Sequence, residues 1–194
     1  MNRKRQGTVR IIGGRWRGRK LPVPPLPGLR PSGDRGRETL FNWLSPFLHA
    51  ARCADLFAGS GVLGLEAASR GAAKVTLVEK AAPAVRVLRE SIALLNADGE
   101  PDVELVHADA LAWLKDREAD SLDLVFIDPP FGLGLEKKAL HSLVETGCLR
   151  EGGLVYVETA SRDGGFQPGP EWETIREKVV GEVRMRLIKR TAAV

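Results

Sequence analysis

From residue 51 onward, short apolar runs alternate with longer amphipathic segments along the chain. The apolar runs have the length of β-strands and cover residues 52–57, 74–78, 103–107, 122–127 and 154–158. The segments between them show the apolar spacing typical of helices, at residues 62–70, 83–96, 111–115 and 136–146. Strands that alternate with helices at these lengths predict a doubly wound α/β fold, in which helices cover both faces of a parallel sheet.

The C-terminal part departs from this alternation. After a Gly/Pro-rich stretch at residues 161–170, two runs at 172–180 and 182–188 flank Gly181, with no helix-length segment between them. Strands joined by so short a turn pair antiparallel. The sequence therefore predicts a mostly parallel seven-stranded sheet that ends in an antiparallel strand pair.

Composition narrows the class of protein. A length of 194 residues with 43% hydrophobic content is that of an ordinary globular chain. No apolar run has transmembrane length, and the N-terminus lacks the apolar segment of a secretory signal, so we expect a cytoplasmic protein that binds no membrane. As a separate expectation, we take the protein to be a monomer. Cys53 and Cys148 lack the clustered spacing of a zinc site, so we expect both to be small buried residues and predict no metal.

Positive charge is concentrated at the N-terminus. Residues 1–37 contain 11 Lys/Arg and one acid, Asp34, which leaves 18 basic and 24 acidic residues for the remainder. A mildly acidic body with a basic arm indicates a polyanionic partner at one end.

The basic arm has the pattern of a β-hairpin. A β-branched run at residues 8–12, the pair Gly13-Gly14 and a second run at 15–21 predict two strands with an arginine-rich face. The prolines of residues 22–31 predict a loop, and a helix is expected over residues 35–44 behind the capping types Ser32, Gly33 and Asp34. We therefore divide the chain into an arm and loop at 1–31 and a main domain at 32–194.

The fourth apolar run stops abruptly at Asp128-Pro129-Pro130-Phe131. Each proline fixes its own φ and restricts the residue before it, so the carboxylate and the nearby carbonyls are held rigidly at the carboxyl end of a strand. A carboxylate, fixed carbonyl acceptors and an aromatic ring could hold a planar group with an amino function, such as a nucleobase. A Pro-Pro strand end followed by a core phenylalanine is the structural alternative, and the tetrapeptide alone does not decide between them.

A glycine-rich segment follows the first strand of the alternation. Asp55, Phe57, Ala58, Gly59, Ser60 and Gly61 span a strand end, a turn and a helix start, where glycines admit a ligand close to the backbone. With Gly64 the spacing is G-x-G-x-x-G, which fits a dinucleotide or a nucleoside joined to an amino acid.

The acidic residues around this segment distinguish the two ligands. Asp55, Glu79, Asp109 and Asp128 each lie at or near the end of successive predicted strands, so we expect the four carboxylates to line one crevice. Glu79 is placed to accept from ribose hydroxyls, and Asp109 with the N–H of Ala110 is placed to meet an adenine ring. Such a lining repels a pyrophosphate and favours a ligand with an ammonium and a sulfonium, which describes S-adenosylmethionine.

Taken together, Asp55-Leu-Phe-Ala-Gly-Ser-Gly-Val-Leu-Gly-Leu-Glu-Ala and Asp128-Pro-Pro-Phe131 resemble the class I S-adenosylmethionine-dependent amino methyltransferases. Two N-terminal blocks, at residues 10–21 and 30–44, are similar to the bacterial enzymes that methylate guanine N2 in 16S ribosomal RNA. The second block departs from the family pattern at Ser32, Gly33 and Gly36.

The resemblance implies methyl transfer to a guanine amino group of 16S ribosomal RNA, or of the assembling small subunit, with Asp128, Pro129, Pro130 and Phe131 as the catalytic group. For RNA binding we expect Arg10, Arg15, Trp16, Arg17, Arg19, Lys20 and Arg30 of the arm and loop, together with Arg35 at the start of the next helix. Packing in the core is the alternative for Trp16, and a solvated surface charge is the alternative for any single arginine. Adenine-N6 methylation of DNA, non-enzymatic RNA binding and nicotinamide-dependent oxidoreduction are the alternative functions.

Overall fold

The computed structural model describes residues 7–25, 33–95, 102–162 and 166–191. The strands are β1 (Thr8–Arg10), β2 (Lys20–Pro22), β3 (Arg52–Asp55), β4 (Lys74–Glu79), β5 (Asp102–His107), β6 (Leu122–Ile127), β7 (Leu149–Ala160), β8 (Trp172–Val180) and β9 (Val183–Arg190). The α-helices are α1 (Asp34–Leu44), α2 (Val62–Ser69), α3 (Ala82–Leu95), α4 (Ala110–Lys115) and α5 (Leu135–Thr146), and a 3₁₀ turn at Ser45–Phe47 extends α1.

Strands β3 to β9 form one seven-stranded sheet with the order β5-β4-β3-β6-β7-β9-β8, so β5 and β8 are its edges. The pairs among β3 to β7 are parallel, whereas β9 is antiparallel to both β7 and β8. The predicted α/β class and the antiparallel C-terminal pair are confirmed. Because the strands β3 to β6 are parallel and adjacent, the residues that follow them meet at one edge of the sheet.

Apolar side chains fill both faces of the sheet. One buried cluster joins the arm, α1, α2 and α3 to one face, and the other joins α4 and α5 to the opposite face. Along β6, Phe126 belongs to the first cluster and Ile127 to the second, as the two-residue period of a strand requires. On α1, the predicted apolar face is buried at Leu40, Phe41 and Leu44.

A carboxylate at the amino-terminal edge sets the register of three strands. Asp123 accepts hydrogen bonds from the backbone N–H of Arg52 at 2.8 Å, from the Arg52 side chain at 3.0 Å and from Arg150 Nε at 2.8 Å. Burial acts to raise the pKa of Asp123, but the hydrogen bonds from the two arginines outweigh it and lower the pKa to about 2. These hydrogen bonds of Asp123 fix β6 against β3 and β7, and so fix the position of Asp128 after the end of β6.

The hairpin differs from its prediction in one respect. Strands β1 and β2 pair antiparallel, with Val9 opposite Leu21, but each has three residues, and Gly13-Gly14 is not a two-residue turn between long strands. The connection over residues 11–19 instead buries Ile11 and Trp16 in the first core cluster. Ile11 still pairs across the hairpin, since its N–H donates to Arg19 O and its carbonyl accepts from Gly18 N, both at 2.9 Å, and the rest of the connection packs against α2.

Strand β7 is longer than predicted, because it includes Gly152 and Gly153 and begins at Leu149. Its register against β6 shifts between Leu122 and Leu124, so the glycines form an irregularity within the strand and not a turn before it. The division of the chain after residue 31 stays a prediction, since residues 26–32 lie outside the described part.

Both cysteines are buried and unbonded, as expected, and burial raises the pKa of the Cys53 thiol to about 12. None of the described helices has the length and apolar character needed to span a membrane. In the described ranges, no group of three or more His, Cys, Asp or Glu side chains is arranged to hold a metal ion.

Candidate active site and nucleic-acid interface

The glycine segment forms a tight loop between β3 and α2. Gly61 precedes the helix with φ of 75°, in the left-handed region that other residues seldom adopt. A Cβ at Gly61 would lie 2.5 Å from Leu88 Cδ2, so a side chain has no space there. The loop therefore packs its backbone against α3 and begins α2 at the carboxyl edge of the sheet.

Asp55 supports this loop from beneath. Its side chain is 1% exposed and its Oδ2 accepts a hydrogen bond from Gly64 N at 3.1 Å. Burial raises the pKa of Asp55 to about 7, and the nearby charge of Glu79 acts in the same direction. Asp55 thus holds the start of α2 and does not form part of the exposed crevice wall.

Glu79 joins the loop to the start of α3. Its Oε2 accepts from Gly59 N at 2.9 Å and its Oε1 accepts from Ala81 N at 2.7 Å. The residue is partly exposed at the end of β4. Because each carboxylate oxygen has two lone pairs, Glu79 can hold the loop and still accept bonds from a ligand hydroxyl.

Asp109 lies beyond the end of β5 and caps α4. Its Oδ1 accepts from Leu111 N at 3.0 Å and from Ala112 N at 3.3 Å, while Lys80 Nζ lies 3.5 Å from Oδ2. Ala110 is the first residue of α4 and is buried. Asp109 therefore caps α4, but half of its side chain remains exposed at the carboxyl edge.

The Asp128-Pro-Pro-Phe segment begins where β6 ends, beside β3 in the sheet. Asp128 is half-buried, Pro129 is buried and Pro130 is exposed. Phe131 is 47% exposed, so its ring is not the core phenylalanine of the structural alternative. An exposed ring and a half-buried carboxylate at this edge form a platform that can accept a planar amino-bearing group.

The sequence reasoning missed Tyr156 and Glu158 on β7. Both side chains are buried, and the Tyr156 hydroxyl donates a hydrogen bond to Glu158 Oε1 at 2.5 Å. Burial, the charge and hydrogen bond of Glu158 and the charge of Asp128 raise the pKa of Tyr156 well above its ordinary value. The signal was present in the sequence, because the fifth apolar run also ends in a carboxylate, as the runs before Glu79 and Asp128 do.

The arm presents a basic surface. Five of its predicted RNA-binding side chains are exposed, namely Arg10, Arg15, Arg17, Arg19 and Lys20. Arg35 is exposed in the first turn of α1, and Arg30 lies outside the described residues. Trp16 is only 6% exposed and belongs to the first core cluster, which fits the packing alternative and leaves no ring surface for a base.

Helix α2 fastens the arm to the glycine loop. Glu66 is fully buried and accepts from Ile12 N at 2.8 Å, from Arg70 Nε at 2.8 Å and from Arg37 Nη1 at 3.5 Å. One turn later, Ser69 Oγ donates to Gly13 O at 2.7 Å and accepts from Trp16 N at 2.9 Å. The helix that begins at the glycine loop therefore also carries the basic surface.

Close packing reinforces this junction. Gly14 has φ of 74°, and a Cβ at this position would lie 1.9 Å from Ser69 O. The backbone of the arm thus lies directly against the end of α2, with Arg15 N donating to Ser69 O at 2.8 Å.

Comparison with known proteins gives a consistent result. The family model described as conserved hypothetical protein 95 matches residues 9–189. The chain is 45% identical to the ribosomal RNA small subunit methyltransferase D of Escherichia coli (strain K12), over 98% of this chain and 94% of that protein. It is 44% identical to the protein of the same name from Haemophilus influenzae, over 94% of each chain. A solved structure of the candidate methyltransferase yhhF from Escherichia coli superimposes with a TM-score of 0.85 at 43% identity, covering 96% of this chain and 100% of that one.

Proposed function

The chain belongs to the family described as conserved hypothetical protein 95, and we propose that it transfers a methyl group from S-adenosylmethionine to the N2 amino group of a guanine in 16S ribosomal RNA during small-subunit assembly. The observation that carries the proposal is Asp128, which leaves β6 beside the glycine loop and is followed by two prolines and the exposed ring of Phe131.

The described residues fit this cofactor. The tight loop at Gly59 and Gly61 brings backbone to the carboxyl edge of the sheet, and the partly exposed carboxylates of Glu79 and Asp109 lie at the same edge as acceptors. Acceptors suit the hydroxyl and amino groups of a nucleoside and its ammonium, whereas a pyrophosphate would meet repulsion. When bound, S-adenosylmethionine supplies a methyl carbon that its sulfonium has already activated.

Given such a donor, the chain mainly has to position a weak nucleophile, because the guanine amino lone pair is delocalised into the ring. The Asp128 carboxylate and the Pro129 carbonyl accept the two N–H bonds of that amino group, which aims its lone pair towards the methyl carbon. The same acceptors stabilise the positive charge that develops on nitrogen. Phe131 stacks on the base, and the proton leaves the nitrogen after the transfer.

The choice of ribosomal RNA rests on the relatives and on the arm. Relatives that match nearly the whole chain are named ribosomal RNA small subunit methyltransferases. The exposed basic side chains of the arm lie on the helix-α2 side of the sheet and can bind phosphates. We also propose that the protein acts as a monomer in the bacterial cytoplasm, where ribosomal subunits assemble, and that it needs no metal because the methyl group is already activated.

An assay with tritiated S-adenosylmethionine on small subunits, free 16S ribosomal RNA and DNA tests the substrate. We expect incorporation into one of the RNA forms, and mass spectrometry of ribosomal RNA from a strain that lacks the protein should show one missing N2-methylguanine. Incorporation into DNA adenine alone would instead support the adenine-N6 reaction, which uses the same tetrapeptide. Absence of transfer to any of the three would contradict the proposal.

A further inference from the structure

The register between β6 and β7 places Glu158 of β7 beside Asp128, the residue that follows β6. Phe126 pairs with Tyr156 and Ile127 with Val157 in the parallel register, so the next residues along the two chains are Asp128 and Glu158. Phe126 and Tyr156 both belong to the first core cluster, and side chains two residues further along a strand project to the same face. Asp128 and Glu158 are therefore neighbours on the face of the sheet that carries the arm.

The electrostatic environment of Tyr156 gives independent support for this placement, because the charges of both Glu158 and Asp128 raise its pKa. Tyr156 stays protonated and donates its hydroxyl to Glu158 Oε1 at 2.5 Å, which orients the carboxylate. A carboxylate has about four acceptor positions, and the tyrosine fills one of them.

Two carboxylates at neighbouring positions repel each other unless donors lie between them. The Watson–Crick edge of guanine supplies adjacent donors, the N2 amino group and the N1–H. Adenine presents a bare lone pair at N1, and 2-aminopurine presents the same lone pair while keeping the amino group at C2. A second carboxylate beside Asp128 is therefore suited to a base that carries a proton at N1.

Building on the proposed function, we infer that Glu158 reads the target base by accepting the N1–H of guanine, with Tyr156 as its positioning residue. Asp128 then accepts from the reacting amino group while Glu158 selects the purine that carries it. A base with an unprotonated N1 places its lone pair against the carboxylate and is rejected.

The test places 2-aminopurine at the mapped target position of 16S ribosomal RNA by ligation and compares its kcat/KM with that of guanine, in assembled subunits and in free RNA. The wild-type protein should prefer guanine by roughly 100-fold or more. Glu158→Gln should narrow this preference at least about 10-fold, because the amide can donate to an unprotonated N1. Tyr156→Phe keeps the carboxylate and should slow guanine methylation less than Glu158→Ala does.

Glu173→Gln is the matched control, since Glu173 is an exposed carboxylate on the edge strand β8. This substitution should leave the ratio of kcat/KM for guanine to that for 2-aminopurine at the wild-type value. Calorimetry with S-adenosylmethionine and thermal melts of each variant separate loss of base selection from loss of cofactor binding or folding.

An unchanged preference in a folded Glu158→Gln protein that still methylates guanine would overturn the inference and leave the proposed function intact. If the wild-type protein methylates 2-aminopurine as well as guanine, the inference also fails. If the wild-type protein does not methylate guanine N2 at all, both the proposed function and the inference fail.

Discussion

Replacing Glu66 with alanine should destabilise the protein strongly, because this carboxylate is the fully buried junction between the arm, α1 and α2. It accepts from the backbone of Ile12 and from the side chains of Arg37 and Arg70. Arg37 is itself only 1% exposed, so loss of the carboxylate would leave a buried guanidinium with Asp34 as its other described acidic partner. Alanine preserves the helix propensity of α2, so the effect reports the junction and not the helix.

The size of the effect follows from the buried partners. Removal of one member of a buried ion pair lowers the free energy of unfolding by about 3–5 kcal/mol. This range includes the cost of leaving the N–H of Ile12 without its acceptor. For a chain of this size a urea m-value of about 2 kcal/mol/M converts this loss into a midpoint lower by roughly 1.5–2.5 M. Glu104→Ala is the control, since its ion pair with Lys74 at 3.4 Å is about half exposed and should change stability by less than about 1 kcal/mol.

Urea unfolding followed by tryptophan fluorescence and by circular dichroism measures the midpoints. Limited trypsin digestion gives a second readout, because release of the arm from α2 should speed cleavage at the exposed arginines of residues 11–19 before the main domain is cut. A Glu66→Ala protein whose midpoint and cleavage rate match those of Glu104→Ala would refute the reasoning.

Three further predictions concern the site. Asp128→Ala should abolish methyl transfer while calorimetry still finds S-adenosylmethionine binding within about threefold of wild type; parallel loss of both would contradict its assigned role. The pKa of Asp55 is raised to about 7 in the folded protein, so its contribution to stability is complete below the unfolded pKa near 4 and is lost as pH rises towards 7. Measured by urea unfolding, the free energy of unfolding of the wild-type protein relative to that of Asp55→Asn should fall by up to roughly 4 kcal/mol between pH 4 and 7. If this difference between the two proteins stays constant over that pH range, the pKa of Asp55 is not raised. Changing Arg15, Arg17 and Arg19 of the arm to glutamine should weaken RNA binding and lower the slope of log K against log salt by about 2–3. The same change at Lys115, Lys137 and Lys138, exposed on the helices that cover the opposite face of the sheet, should leave this slope unchanged.

The alternating part of the fold was predictable because its signals are local. The strand at residues 122–127 ends where the tetrapeptide stops it, and the helices begin and end within a residue or two of their predicted bounds. Prolines, glycines and apolar periodicity act within a few residues, so they are visible in the sequence. The carboxyl ends of parallel strands must then share an edge, which places Glu79, Asp109 and Asp128 at that edge.

What the sequence did not show depends on contacts between distant residues. Trp16 is a residue type that often stacks on bases. It lies in the core because it packs against α2, which is more than 45 positions away in the sequence. Asp55 and Asp128 are both aspartates at strand ends, but Asp55 is buried under the glycine loop. Its side chain projects to the face on which α2 packs, where it accepts a hydrogen bond from Gly64 N. For Glu158 the sequence did show a carboxylate at the end of an apolar run, but its position beside Asp128 depends on the pairing of β7 with β6.

The two edge strands of the sheet have a consequence for behaviour in concentrated solution. On β8, Glu173 and Arg176 are exposed, and on β5, Asp102 and Glu104 are exposed. If a strand from another molecule paired with either edge strand, these charged side chains would be desolvated without gaining partners of opposite charge. The sheet therefore resists growth into a larger array, which helps a protein with so much apolar sheet to remain dispersed.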